Sequence, residues 1–510
     1  MKSYIEPAIG VPTFIAINEA IARVVTIARF YVILSCKVGE KLYFIRIGGT
    51  AMGGVAGALT KAGEQVFGSE ELIYEPMKSY LAECGVTVFP TFDGSRLIET
   101  SPDIVVVGNA VSRGNEELEV ALERKMNCVS LPQVIASKLI GSNTSIVIAG
   151  THGKTTTTAM TANVLEVGGL KPGFLIGGVP GNFDVSCRPA GGSVFVSEGD
   201  EYDSAYFDKR SKFLHYKPDV SVVNNIEFDH ADIFDDLEQI KKSFRLFIRL
   251  VPRNGVVLAN GDDSVVVEVL KDACSPVETF GFGESCFWRI TGFVAGADGS
   301  SFMVYRAGTF FGEFHSPVTG TFNALNMLVA IACAHRLGVP IDLIQKGTES
   351  YISPKRRMQE KGTWRGALVI DDFGHHPTAI RQTIDALIDR YPNRRIVACF
   401  EPRSNTTTRK FYQKELAECF LRASAVAIGA LDRPERYSET ERLNLNKLAD
   451  ALPNPHFVLS LEQGKDSDWG RYLKEWLGSV IQPGDLLVTF SNGDFGGLRQ
   501  MIGSESNIEP

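Results

Sequence analysis

The chain predicts an α/β protein of several parallel-sheet units, on three observations. An apolar strand-like run followed by glycines and a helix-like stretch opens at well-separated points, KLYFIRIGGTAMGG, TSIVIAGTHGKTTTT and ALVIDDFGHHPTAI, which is the strand–loop–helix rhythm of parallel sheets. The length of 510 residues, with 44% hydrophobic side chains, is enough to bury more than one core. Between the second and third openings, the glycine-punctuated FWRITGFVAGADGSSFMVYRAGTFFGEF alternates as antiparallel hairpins do. Ligands of such sheets collect at the carboxyl ends of the strands. A site shared between the units is therefore expected.

Taken in order, residues 1–40 contain the apolar VVTIARFYVILSC, but Arg23, Arg29 and Lys37 interrupt it. No run approaches the ~20 apolar residues of a membrane span, so this stretch is read as an N-terminal extension or an over-long start, with a weak anchor helix as the less favoured alternative, and no membrane partner is expected. A first unit over 41–142 carries strands at LYFIRI, TVFP and DIVVVGNA. The second, 143–352, opens at SNTSIVIAG and includes SVFVSEGDE, DVSVVNNIEFDH and GVVLANGDD. Its closing helix, NALNMLVAIACAHRLG, ends at Gly338. After the polar connection SPKRRMQEKG, the third unit, within 353–510, runs to DLLVTFSNGDFGGLRQMI. The net charge of −8 argues against a surface that neutralises nucleic-acid phosphates. Nine scattered cysteines, none in a C-x-x-C pair, fit a reducing cytoplasm rather than a disulfide or zinc framework.

GTHGKTTTT, Gly150 to Thr158, looks like a phosphate loop that lacks the usual first glycine, since Ile148 stands there. A strand ending at Ala149, a turn through Gly150 and Gly153 and a helix opening at Lys154 aim backbone N–H groups and a helix dipole at one anion. Lys154 then reaches the β- and γ-phosphates and the Thr155 hydroxyl meets Mg²⁺. A cation of that kind takes oxygen ligands, and the next strand-like run ends in Glu198, with Asp200 and Glu201 behind it. NNIEFDH adds Asn225, Asp229 and His230 to the same rim. Acids after a strand are commonly solvated and a lone histidine is commonly structural, so it is the convergence of three strand ends that carries the signal.

Together G-T-H-G-K-T, EGDE, N-x-x-x-D-H, TGTFNALNMLVAIACA, RRMQ and DDFGHHP resemble the Mur ligase family, ATP-dependent amide-forming enzymes of the bacterial cell wall whose phosphate loop has this shortened form. The resemblance runs over nearly all of the chain after Lys41. It implies a Rossmann-like N-terminal domain, a central P-loop ATPase-like domain and a Rossmann-like C-terminal domain. It implies ATP on Gly150, Thr151, His152, Gly153, Lys154, Thr155 and Thr156, one Mg²⁺ on Thr155 and Glu198, and a second Mg²⁺ on His230. Asn323 and Asn326 fall where the family meets adenine, Arg357 where it touches the γ-phosphate, and Asp372 and His375 near the ribose. Substrate contacts are implied for Gly48, Gly49, Thr50, Asn109, Arg113 and Asn225. The stretches VVGNAVSRGN, KPGFLIGGVPGNFDVS, DEYDSAYFDKRSKFLHY, NNIEFDHADIFDDL, EPRSNT and SNGDFGG are most like members that join UDP-N-acetylmuramate to the tripeptide L-alanyl-γ-D-glutamyl-meso-diaminopimelate in peptidoglycan recycling. Members that add a single L-alanine are the alternative.

Three departures stand out. Arg46 occupies a glycine position of RIGGTAMGG, so no G-x-G-x-x-G register fits and no dinucleotide is expected. Gln359 replaces a glutamate after the linker arginine, and Phe322 a histidine before Asn323. Arg245 stands where several siblings carry a carbamylated lysine, so that modification is not expected. In the third unit, EPRSNTTTR offers Arg403, Ser404, Asn405 and Arg409 to the carboxylates of a peptide, for which arginine forks are suited. No general base stands out, His375 and His376 being candidates. A nucleotide-gated binding protein without ligase chemistry is the rival class, and Glu198 with His230 argues against it.

Overall fold

The computed structural model describes residues 39–503. The extension read at residues 1–40 lies, but for its last positions, outside the described residues.

Three large sheets divide the described chain, beside a two-stranded hairpin of Asp203–Ala205 and Asp208–Ser211. The first is five-stranded and parallel, in the order Thr87–Phe89, Gln65–Ser69, Lys41–Ile45, Ile104–Val107, Cys128–Ser130. Gln65–Ser69 and Cys128–Ser130 are strands that the sequence reading passed over. QVFGS contains Gly68, ordinarily a poor strand residue, and it is needed here because a Cβ would stand 2.7 Å from Ile47 and 2.8 Å from the Phe44 carbonyl.

The central sheet has ten strands. Its middle is β1 (Thr144–Ala149), followed in the chain by α1 (Lys154–Val167) and flanked by β2 (Val194–Gly199) and β3 (Val220–Val223), all parallel. TSIVIA is buried along nearly its whole length, as a strand covered on both faces must be. At one edge, Trp288–Gly296, Gly299–Arg306 and Thr309–Ser316 form the antiparallel hairpins expected from their alternation. The helix α1 is threonine-rich yet buried. Thr157 and Thr158 satisfy their hydroxyls by donating to the Gly153 and Lys154 carbonyls at 2.9 and 2.8 Å. It packs against α2 (Thr321–Arg336), whose buried run from Met327 to Ala334 marks a helix enclosed on every side.

The third sheet has six strands. β4 (Gln359–Trp364) is antiparallel to β5 (Ala367–Asp372), which pairs with Leu486–Phe490, then β6 (Ile396–Phe400), Ala425–Ile428 and His456–Val458 in parallel. The loop after β5 leads into α3 (Pro377–Arg390). The connection into this sheet turns through Arg356 and Met358, both in left-handed backbone at φ 61 and 49. This is a region that side-chain-bearing residues seldom adopt. Among the described residues, no helix is long and apolar enough to cross a membrane.

Candidate active site

β1, β2 and β3 are neighbours, so their carboxyl ends form one rim, as the sequence reading required. From β1 the chain turns through Gly150 (φ 146) and Gly153 (φ 80). A Cβ at Gly153 would stand 2.9 Å from Asn326 Oδ1, so glycine is demanded there on two counts. The loop is stapled to the segment after β3: Thr151 and His152 donate their backbone N–H to Asn225 O (3.1 Å) and Oδ1 (2.7 Å), while Glu227 N–H donates to Thr151 Oγ1 at 2.8 Å. Asn225, expected to meet substrate, thus spends its amide on the phosphate loop.

Lys154 donates to the Gly150 carbonyl at 2.7 Å and to both oxygens of Glu201 at 3.0 and 2.8 Å. Burial works to lower its pKa, but Glu201, Asp200 and Glu198 outweigh that and raise it, so the ammonium stays charged. His230, with φ 57, sets Nε2 2.9 Å from Glu201 Oε1 and packs its ring on Tyr202. Burial would lower its pKa as well, and Glu201 with Asp229 raises it instead. Glu201 is the residue that sequence reasoning undervalued. It was noted as an acid behind Glu198, but only side-chain direction shows that it holds both cations of the rim.

Glu198 points the other way. It accepts the Gly177 N–H and lies among Thr155, Lys154 and Arg357, and its pKa is raised because burial outweighs these partners. A buried carboxylate and a threonine hydroxyl at a helix N-terminus are the oxygen donors that Mg²⁺ favours, so the donor set fits that ion. The structure brings Thr155 and Glu198 together. His230 stands across Lys154 with its Nε2 committed to Glu201, which leaves Nδ1 as the nitrogen open to an ion.

Arg357 Nη2 reaches Thr155 Oγ1 at 3.4 Å and its guanidinium lies over the Phe373 ring. Asn326 sets its Oδ1 3.0 Å from Thr157 Oγ1 and against Gly153, so it backs the loop, whereas Asn323 donates to the Thr319 carbonyl at 2.7 Å, at the start of its own helix. Asp372 accepts from the Met358 and Gly374 N–H groups at 2.8 and 2.7 Å. It thereby fixes the left-handed linker turn. Burial raises its pKa, against those bonds and Arg357. Arg356 donates to Ser491 and Gly493 carbonyls across the third sheet.

The remaining expected contacts are more open. Gly48 N–H donates to Glu70 at 3.2 Å, Gly49 caps the following helix with open space beyond it, and Thr50 opens that helix. Arg46 lies near Glu70 (3.9 Å) and over Phe92. Asn109 donates to Asp203 at 2.9 Å, tying the first unit to the second, while Arg113 forks onto Glu119 in solvent. Arg403 stands 3.5 Å from Glu401 and 3.6 Å from Asp494; Ser404 bonds Thr407 at 2.7 Å, and Asn405 follows on the same loop. That loop clasps the segment after β3, with Thr406 donating to Asp229 at 2.6 Å and Arg409 to the Ala231 carbonyl at 3.1 Å. His375 Nε2 lies 3.8 Å from Asp229. Arg245 pairs with Glu268 and Asp272 at 2.9 and 3.3 Å, away from the rim.

A cleft of about 1010 Å³ runs between the three units, lined by Thr50 of the first, Thr155 and Gly177 of the second and Arg357, Phe373 and Arg499 of the third. Chemically it offers a phosphate loop, a hard-cation donor pair and a convergent guanidinium.

Comparison with known proteins agrees along the whole described chain. The model of the Mur ligase family, catalytic domain, matches residues 41–140; the Mur ligase middle domain matches 148–334; and the Mur ligase, glutamate ligase domain, matches 356–493. The chain is 39% identical over 470 residues to the UDP-N-acetylmuramate–L-alanyl-γ-D-glutamyl-meso-2,6-diaminoheptandioate ligase of Haemophilus influenzae, covering 91% of this chain and 98% of that protein. It is 32% identical over 456 residues to the UDP-N-acetylmuramate–L-alanine ligase of Geobacter sulfurreducens, covering 89% and 95%. A crystal structure of a murein peptide ligase from Psychrobacter arcticus is similar at 32% identity and TM-score 0.67, covering 92% of this chain and 100% of that one.

Proposed function

The chain belongs to the Mur ligase family, and from that premise we propose that it is the ATP-dependent ligase that joins UDP-N-acetylmuramate to L-alanyl-γ-D-glutamyl-meso-diaminopimelate, releasing ADP and phosphate. The observation that carries the reading is the single cleft that takes Thr50, Thr155 and Arg357 from three different units. Sugar nucleotide, ATP and peptide can meet only where such elements converge. The tripeptide is favoured over L-alanine by the greater identity to the tripeptide-named relative, 39% against 32%.

A carboxylate does not acylate an amine in water unless one of its oxygens is made a better leaving group. Transfer of the γ-phosphoryl group of ATP to the lactyl carboxylate of UDP-N-acetylmuramate does this and gives an acyl phosphate. The neutral alanine amine of the tripeptide then attacks the acyl carbon, the C–O bond to phosphate breaks, and the amine proton passes to solvent or a nearby base. In this reading the loop N–H groups and Lys154 hold the transferring phosphoryl group, and Arg357 neutralises charge that builds between phosphate and carboxylate. Thr155 and Glu198 would hold Mg²⁺, which when bound supplies further charge neutralisation. For Lys154 to reach a phosphate it must leave the Gly150 carbonyl and share Glu201 with His230. Arg403, Ser404 and Asn405 would receive peptide carboxylates. Closure about the Arg356–Met358 turn assembles the parts and excludes water. Phosphorylation by ATP and the free thiols of the described cysteines suit the cytoplasm.

The test is ADP release measured with each amine in turn. Turnover is expected with UDP-N-acetylmuramate and tripeptide together, and not with either alone. Equal turnover on L-alanine would move the chain to the single-residue ligases. Labelled lactyl carboxyl oxygen is expected in the released phosphate, and its absence would remove the acyl phosphate.

A further inference from the structure

Behind the phosphate loop, one nitrogen each of His152 and His376 and one carboxylate oxygen of Glu227 lie within 4.8 Å of one another. They come from three segments: the loop itself, the stretch after β3 and the start of α3 in the third unit. We propose that His152, Glu227 and His376 form a binding site for a divalent transition-metal cation of the zinc type, separate from the Thr155–Glu198 pair and clamping the central unit to the third.

The separations fit such an ion. Glu227 Oε2 is 3.7 Å from His152 Nε2 and 3.5 Å from His376 Nδ1. These are too long for hydrogen bonds of real strength. With metal–ligand bonds of ~2.0–2.1 Å, neighbouring donors around a tetrahedral ion stand roughly 3.3–3.4 Å apart, so the two separations from Glu227 need contract only slightly, and the two histidine nitrogens, within 4.8 Å of each other, close by a rotation of the more exposed His152 ring. His152 Nε2 is buried without a hydrogen-bond partner, an uncommon state for a polar atom that an ion would resolve. His376 is 2% exposed, its ring packed against His152 at 4.3 Å and Tyr412 at 4.6 Å. Its Nδ1 accepts only a long bond, 3.3 Å, from the Thr378 N–H, so its lone pair is weakly engaged.

Protonation also suits ligation. Burial and the adjacent His152 push His376 down to about 3, leaving a neutral imidazole. Burial alone would raise Glu227, but His152 and the Thr378 hydroxyl outweigh it and hold the group down, as the carboxylate. Thr378 Oγ1 donates to Glu227 Oε2 at 2.7 Å and orients it as outer partners of metal ligands do. Two imidazoles and one carboxylate select zinc, cobalt or nickel over magnesium, whose preference is for oxygen. The remaining position would fall to water.

The test uses the full chain, stripped with EDTA and dialysed against zinc chloride in a large excess of Mg²⁺, which occupies oxygen sites. One zinc per chain is expected to remain, with affinity falling at least tenfold in both His376→Gln and Glu227→Gln. Cobalt in place of zinc should give a visible d–d spectrum that is absent from His376→Gln. If that buried substitution unfolds the protein, His152→Asn, at the half-open end of the cluster, makes the same measurement. Failure to hold zinc against Mg²⁺, or zinc held equally by the wild type and these variants, overturns the site. None of these readouts depends on turnover, so the inference fails or stands apart from the proposed reaction.

Discussion

The phosphate-loop rim and the Asn109–Glu119 loop of the first unit each present a cation to an anion, and they are built in opposite ways. Lys154 is 15% exposed and bound to Glu201, which is 3% exposed and also holds His230. Arg113 is 68% exposed and, among the described residues, its ion-pair partner is Glu119. The first arrangement exists before any ligand arrives, with its charges mutually neutralised in a medium of low dielectric. The second is a solvated fork that a ligand must organise. The difference teaches where this fold stores order: in the half proposed to handle phosphoryl transfer, which tolerates little misplacement, and not in the half proposed to receive the sugar nucleotide.

Removing the rim's cation breaks the comparison most severely. Lys154→Ala should lower turnover by about 10³-fold or more, the scale of losing a charge aimed at a transferring phosphoryl group. It should also destabilise the protein, because Glu201 is left buried without its partner, a loss on the order of 3–5 kcal/mol for a broken buried pair. Adding Glu201→Gln should restore much of the thermal midpoint and none of the turnover. If the double variant stays as unstable as the single one, the coupling described here is absent. Arg357→Ala is expected to cost about 10²-fold in turnover, since one donor at the developing charge is lost. Single-turnover measurement of ADP formation would locate the loss in the phosphoryl step.

The third unit falls between the extremes. Arg403, 39% exposed and loosely placed between Glu401 and Asp494, resembles the open fork more than the rim. Arg403→Ala should raise the tripeptide KM about tenfold with little change in kcat, the value of one charge-assisted bond to a carboxylate. A KM for tripeptide that does not move would remove this arginine from the peptide site.

The same contrast governs what was legible in the residues. The placement of Gly150, Gly153, Lys154 and Thr155 could be read because it follows from a strand, a turn and a helix in immediate succession. Glu198 followed because it ends the adjoining strand. Glu201 sits only three positions on, yet its hold on Lys154 depends on which way a buried side chain points, and spacing does not record that. Asn225, expected on the rim, and Asn326, expected at the adenine, both lie against the phosphate loop through His152 and Thr157, contacts that no local pattern announces. The clasp between Asp229 and Thr406 spans 177 positions and leaves no local pattern. The strand Gln65–Ser69 is broken in pattern by Gly68, and Cys128–Ser130 is only three residues long, so neither stands out from loops.

The smallest effect should come from the open fork, and it sharpens the comparison because its sign and its salt dependence can both be worked out. The Arg113 guanidinium, and then the Gly114 N–H, hold the Glu119 carboxyl down at about 2, below its usual 4.5. A carboxyl lowered on folding contributes stability above its usual pKa and loses it as pH falls through the folded value. The stability difference between wild type and Glu119→Gln should therefore be constant above about pH 5 and shrink as pH falls from 4.5 towards 2. Because both side chains lie in solvent, molar salt should erase most of that difference at neutral pH. The same salt should leave the destabilisation of Lys154→Ala nearly unchanged, since screening ions do not enter a buried pair. Equal salt sensitivity of the two would mean that the rim is as open to water as the fork.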